Sequence, residues 1–218
     1  MIIFKFKDPV SGLTHLLAAL LSIAGLVWLV YLAAADEKPW HLISFAVFGT
    51  SLVLLYTAST LYHLLPLSDR GTTILRKIDH IMIFVLIAGT YTPICLIPLR
   101  GGWGWSLFAT VWGLALGGLV LKLVWLHAPR WLSTSCYLLM GWLVVIAFFP
   151  LISAVPPGGI LWLVAGGFFY TTGAVIYAAK KPNIVPGIVG FHEIFHVFVI
   201  AGSVSHFWLM YRYILPIN

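Results

Sequence analysis

Polar and charged residues fall in short clusters along this chain, and the apolar stretches between them run for about twenty residues or more. These stretches lie at 13–35, 40–65, 74–99, 103–126, 131–152, 159–179 and 187–213. Each is long enough for an α-helix to cross a hydrocarbon core of about 30 Å, which takes roughly 20 apolar residues. The separators hold most of the charge and the turn formers: Asp36-Glu37-Lys38-Pro39, Pro66 to Gly71, Arg100-Gly101-Gly102, His127 to Arg130, Val155 to Gly159 and Lys180 to Pro186. The pattern predicts an all-α integral membrane protein, a seven-transmembrane-helix bundle forming one domain over residues 1–218. Lys5, Lys7 and the following apolar run resemble a secretory signal, but the run exceeds the roughly 7–15 residues of such signals, so the first helix is expected to be retained.

Composition supports lipid as the solvent, since 61% of the residues are hydrophobic and 8% charged, against about 25% charged in soluble domains. Cys95 and Cys136 both lie in apolar segments, without disulfide or thiolate-metal spacing. A net charge of +6 would suit nucleic acid if it formed one basic face, but the basic residues sit beside apolar segments and read as topology determinants. Membrane lipids, and no nucleic acid, are the expected partners. One side collects Lys5, Lys7, Arg70, Arg76, Lys77, Lys122, Arg130, Lys180 and Lys181, and the other Lys38, Arg100 and Arg212, nine against three. The positive-inside bias then puts the N-terminus in the cytoplasm and the C-terminus outside, with the cell (inner) membrane as the expected location.

Ionisable side chains within spans are costly and mark functional candidates. Asp8, Asp36, Glu37 and Asp69 fall in loops, which leaves Asp79, Glu193 and several histidines. The second stretch runs inward, so His63 lies near its cytoplasmic end, with Ser59 one turn deeper on the same face. The third starts inside with Asp79 and His80, and the seventh with His192 and His196 one turn apart. Ser59, His63, Asp79, His192 and His196 are thus expected at one depth. Two histidines at i and i+4 plus a third from another helix make a three-histidine set with one open tetrahedral position, the arrangement of a catalytic zinc. Asp79 would take a proton from an attacking water and Ser59 would hydrogen-bond that water or a substrate oxygen.

Other readings compete. The histidines could simply hydrogen-bond across helices. Residues 192–196, His-Glu-Ile-Phe-His, match the H-E-x-x-H pattern, which would make Glu193 the base of an intramembrane metalloprotease. Two axial histidines could hold haem. A di-iron bundle needs more carboxylates than Asp79 and Glu193. His41, His127 and His206 need no special role, His15 is a possible outer partner of the site, the tryptophans near span ends suit an interfacial belt, and Pro93 is expected to kink the third helix.

Ser59-Thr60-Leu61-Tyr62-His63, Asp79-His80 and Gly190-Phe191-His192-Glu193-Ile194-Phe195-His196 resemble the signature of the progestin and adipoQ receptor family, in its bacterial haemolysin III-like branch. The likeness extends through Thr14-His15, Gly89-Thr90-Tyr91-Thr92-Pro93 and the tail from Gly202-Ser203 through His206 to Leu215-Pro216. It implies seven helices with the N-terminus inside, zinc held by His63, His192 and His196, and Ser59 and Asp79 lining that site. Adiponectin receptors of the family, and the distantly similar alkaline ceramidases, are associated with hydrolysis of ceramide-type amides. The long cytoplasmic N-terminal region of those receptors has no counterpart here, so hormone reception is not expected, and they carry glutamine where Glu193 stands. The expectation is a zinc-dependent membrane hydrolase acting on a lipid amide or ester. Its rival is a non-enzymatic membrane regulator, or a pore-like or cytolytic protein, with a structural or sensory zinc.

Overall fold

The computed structural model describes residues 6–126, 128–185 and 188–218; Lys5, His127 and Pro186, named above, lie outside them. Among the described residues seven helices are long and apolar enough to cross a membrane: α1 (Pro9–Ala35), α2 (Pro39–Leu64), α3 (Asp69–Leu96), α4 (Gly102–Val124), α5 (Arg130–Ala154), α6 (Pro157–Ala179) and α7 (Phe191–Ile214). Sequence neighbours pack in order from α1 to α4, α6 packs on α7, and α1 also touches α7.

The polar punctuation explains where the helices start and stop. Proline stands in the first turn of α1, α2 and α6, where its missing N–H would have had no partner. α3 begins at Asp69, before the expected 74, because Ser68 caps it by accepting a hydrogen bond from the Gly71 N–H at 3.4 Å; hydrophobicity alone does not register a capped polar turn. α7 begins at Phe191, after the expected 187. The apolar Val189 pairs instead with Val185 in an isolated antiparallel bridge, and Gly190 is extended.

α5 departs from the uninterrupted helix expected over 131–152. It is α-helical to Trp142, tightens to a 3₁₀ segment over Leu143–Ala147 and resumes over Phe148–Ala154. Pro150 has no N–H to give the Ile146 carbonyl and its ring crowds that carbonyl, so the preceding turn must change its pairing. Tyr91 on α3 fills the break: its hydroxyl donates to the Gly141 carbonyl at 2.7 Å and accepts from the Val144 N–H at 2.8 Å. Pro93 lies inside α3 as the sequence indicated.

Burial singles out three helices. In the most apolar windows of α3, α2 and α7, 61%, 56% and 44% of residues are buried, against 17% to 28% in the other four. Those three occupy the bundle interior, and they are the helices that carry every candidate site residue. Trp28, Trp103, Trp105 and Trp131 are about half exposed or more, facing where lipid would be.

Candidate metal centre

α2 ends where α7 begins, and that shared end of the bundle brings three imidazoles together. His63 stands in the last turn of α2, and His192 and His196 stand one turn apart in the first turns of α7. Their ligand nitrogens all lie within 4.8 Å of one another, a spacing at which one metal ion can be held. His63 and His196 are 3% and 2% exposed and His192 is half-buried, so the cluster lies largely inside the protein.

The partners of the outer ring nitrogens decide which nitrogens face inward. His63 Nδ1–H donates to Asp8 Oδ2 at 3.1 Å, and His196 Nδ1–H donates to the Ser11 carbonyl at 3.3 Å. An ionised carboxylate and a peptide carbonyl only accept, so both protons sit on Nδ1 and both Nε2 lone pairs are bare. His63 Nε2 lies 3.2 Å from His192 Nε2, a contact that needs either a proton on His192 or an ion between the rings. With metal–nitrogen bonds of about 2.0–2.1 Å, two ligands of a tetrahedral ion stand about 3.3–3.4 Å apart, so this pair is spaced as two ligands of a small ion such as zinc would be. Haem fits less well, because axial nitrogens on opposite sides of one iron stand roughly two bond lengths apart, farther than this contact.

His15 on α1 lies parallel to His196, with ring centroids 3.7 Å apart and planes 12° apart, and its edge meets Tyr56 at 4.9 Å. An ion in the plane of His196 would sit above the plane of His15, so His15 is not a fourth ligand in this arrangement. Neither of its buried ring nitrogens has a hydrogen-bond partner among the described residues.

Asp79 on α3 is half-buried, with the fully buried Ser59 beside its carboxyl and Tyr137 and Tyr177 within its electrostatic reach. The Tyr177 ring lies 5.8 Å from that of His192, which connects the carboxylate's surroundings to the cluster. Glu193 is occupied elsewhere. Its Oε2 accepts from the Gly190 N–H and its Oε1 from the Ser11 hydroxyl, both at 2.8 Å. The first bond is one half of a capping box at the start of α7.

Three other histidines among the described residues take structural partners. His80 Nδ1–H bonds back to the Arg76 carbonyl one turn earlier at 2.6 Å, His41 Nε2–H meets the Ile214 carbonyl at 3.2 Å, and His206 Nε2–H meets the Leu163 carbonyl at 3.3 Å. An open cavity of about 360 Å³, lined by Asp36, Trp40, His41 and Arg100 among others, lies at the opposite end of the bundle. Sequence reasoning placed Asp8 in a loop, and it does lie just before α1 as its N-cap residue; what it missed is the role of Asp8 and Ser11 beside the imidazoles. The available signal was periodic: Ser11 and His15, at i and i+4, share one face of α1, and Asp8 stands one turn before Ser11 at the helix start.

The model of the haemolysin-III related family matches residues 4–207. The chain belongs to that family. It is 41% identical over 215 residues to the Hemolysin-3 homolog of Bacillus subtilis (strain 168), covering 98% of each chain. It is 38% identical to Hemolysin-3 of Bacillus cereus, covering 98% of this chain and 94% of that one. The human Monocyte to macrophage differentiation factor is 24% identical over 220 residues, covering 96% and 85%. The chain is a multi-pass membrane member of the haemolysin-III related family, within the progestin and adipoQ receptor family that the histidine, serine and aspartate motifs resemble.

Proposed function

We propose that the chain is a zinc-dependent integral-membrane hydrolase acting on a lipid amide or ester that enters from the bilayer, with its N-terminus on the cytoplasmic side of the cell (inner) membrane. The observation that carries this reading is the convergence of three imidazoles on two helices of the bundle interior, with the Nε2 atoms of His63 and His192 3.2 Å apart and the Nδ1 atoms of His63 and His196 engaged outward. Zinc held there would supply Lewis acidity towards a carbonyl and activate water near neutral pH. His63, His192 and His196 would hold the ion. Asp79 is the group that takes the proton of the attacking water, and Ser59 beside it orients the carboxyl or a substrate oxygen. Glu193, with both oxygens engaged, supports the capping role over that of a protease base. The orientation rests on the basic residues, nine of which lie on the side assigned to the cytoplasm.

A second reading has its own support. His63 and His196 are almost wholly buried, as suits a structural or sensory metal in a non-enzymatic membrane regulator or a lytic protein. Metal analysis of the purified protein, together with turnover of a membrane-lipid extract, separates the two. The hydrolase reading expects about one zinc per chain, lost in His196→Ala, and an Asp79→Asn variant that keeps zinc while turnover falls by about 10²–10⁴-fold, the usual contribution of a general base, with a milder loss in Ser59→Ala. Full zinc occupancy in each of the His63, His192 and His196 alanine variants would show the site to be misassigned. Zinc binding without turnover in the wild type would favour the regulator.

A further inference from the structure

The metal centre as assigned from the family motifs draws on α2, α3 and α7, yet its closest polar neighbours come from the amino end of α1. Asp8 accepts the His63 Nδ1 proton at 3.1 Å, the Ser11 carbonyl accepts the His196 Nδ1 proton at 3.3 Å, and the Ser11 hydroxyl donates to Glu193 at 2.8 Å. Ser11 is fully buried, whereas the Asp8 side chain is 42% exposed. One turn of α1 therefore ties together the two helices that supply the imidazoles.

We propose that Asp8 is a positioning residue of the metal centre, its carboxylate holding His63 in the tautomer and ring orientation that present Nε2 to the ion, while the Ser11 carbonyl does the same for His196. The inference rests on the metal reading given above. A ligating imidazole whose outer N–H is held by a carboxylate is fixed in orientation and made a better donor, and loss of such a partner typically weakens metal affinity about 10–100-fold. Asp8 is suited to that role and to little else. Its side chain makes no capping bond to α1. Its main chain is independently anchored, the N–H donating to the His63 carbonyl at 2.9 Å and the carbonyl accepting from the Gly12 N–H at 3.0 Å. Lys7, 3.7 Å from the same carboxylate oxygen, also lies over the Tyr62 ring at 4.0 Å, so it has a second contact that survives removal of the carboxylate.

The test is zinc affinity of the full-length purified protein, measured by chelator competition, and the visible spectrum of its cobalt form. Asp8→Ala is expected to weaken zinc about 10–100-fold and to shift the cobalt bands, with the melting temperature of the metal-free protein unchanged. Asp8→Asn, whose amide oxygen still accepts from Nδ1, is expected to recover part of the affinity and most of the cobalt spectrum. Asp69→Asn removes an exposed carboxylate from the same end of the bundle and controls for long-range charge; it is expected to behave as wild type. Wild-type affinity and spectrum in Asp8→Ala, or an equal loss in Asp69→Asn, overturns the assignment of Asp8 while leaving the metal centre intact. A wild-type protein that binds neither zinc nor cobalt overturns the metal reading, and this one with it.

Discussion

Glu193 offers a direct way to tell a capping carboxylate from a catalytic one. Replacing it with glutamine preserves shape: the amide oxygen can accept from the Gly190 N–H, and the amide nitrogen can donate to the Ser11 hydroxyl, so both 2.8 Å contacts have a replacement. What disappears is the negative charge in the first turn of α7, worth about 0.3–1 kcal/mol against the helix dipole. Alanine removes both contacts as well, each with a net worth of about 0.5–1.5 kcal/mol. Glu193→Ala should therefore cost about 1.3–4 kcal/mol in all, and Glu193→Gln less than about 1 kcal/mol. At about 2–4 °C per kcal/mol for a chain of this size, thermal unfolding of the metal-free protein in detergent separates the two variants. Zinc content should be retained in Glu193→Gln, and lipid turnover with it. A Glu193→Gln protein that folds, keeps its zinc and loses turnover about as completely as a missing general base would dictate, while Asp79→Asn remains active, would refute the capping assignment and install Glu193 as the base.

Two further outcomes bear on the frame around the site. A reporter fused after Asn218 is expected to be active only in its external-compartment form, because nine of the twelve basic residues mark the other side; cytoplasmic activity would invert the bundle. Gly104→Ala should destabilise the protein by about 1–3 kcal/mol or more, since an added Cβ would collide with the Cys95 and Leu99 carbonyl oxygens, and backbone cannot move aside as a side-chain tip can; an unchanged melting temperature would contradict the packing of α3 on α4.

The seven-helix architecture was legible in the sequence because lipid imposes a one-dimensional rule: a span must be apolar for about 20 residues, and its helix satisfies its own backbone. That rule, with the helical period, also brought His63, His192 and His196 to one depth, since i and i+4 share a face whatever surrounds them. Element ends were less legible. The start of α3 depends on the Ser68 cap, the start of α7 on the Val185–Val189 pairing, and the break in α5 on where a Tyr91 hydroxyl from another helix can reach. The same distinction separates the two aspects of the site. Which imidazoles approach one another follows from depth along the helices. Which nitrogen each turns inward depends on contacts at large sequence separation, Asp8 on His63 and Ser11 on His196, and so does the engagement of Glu193 by Ser11. Periodicity orders residues along a helix but carries no information about which helix lies alongside, and only the packing of α1 between α2 and α7 decided that.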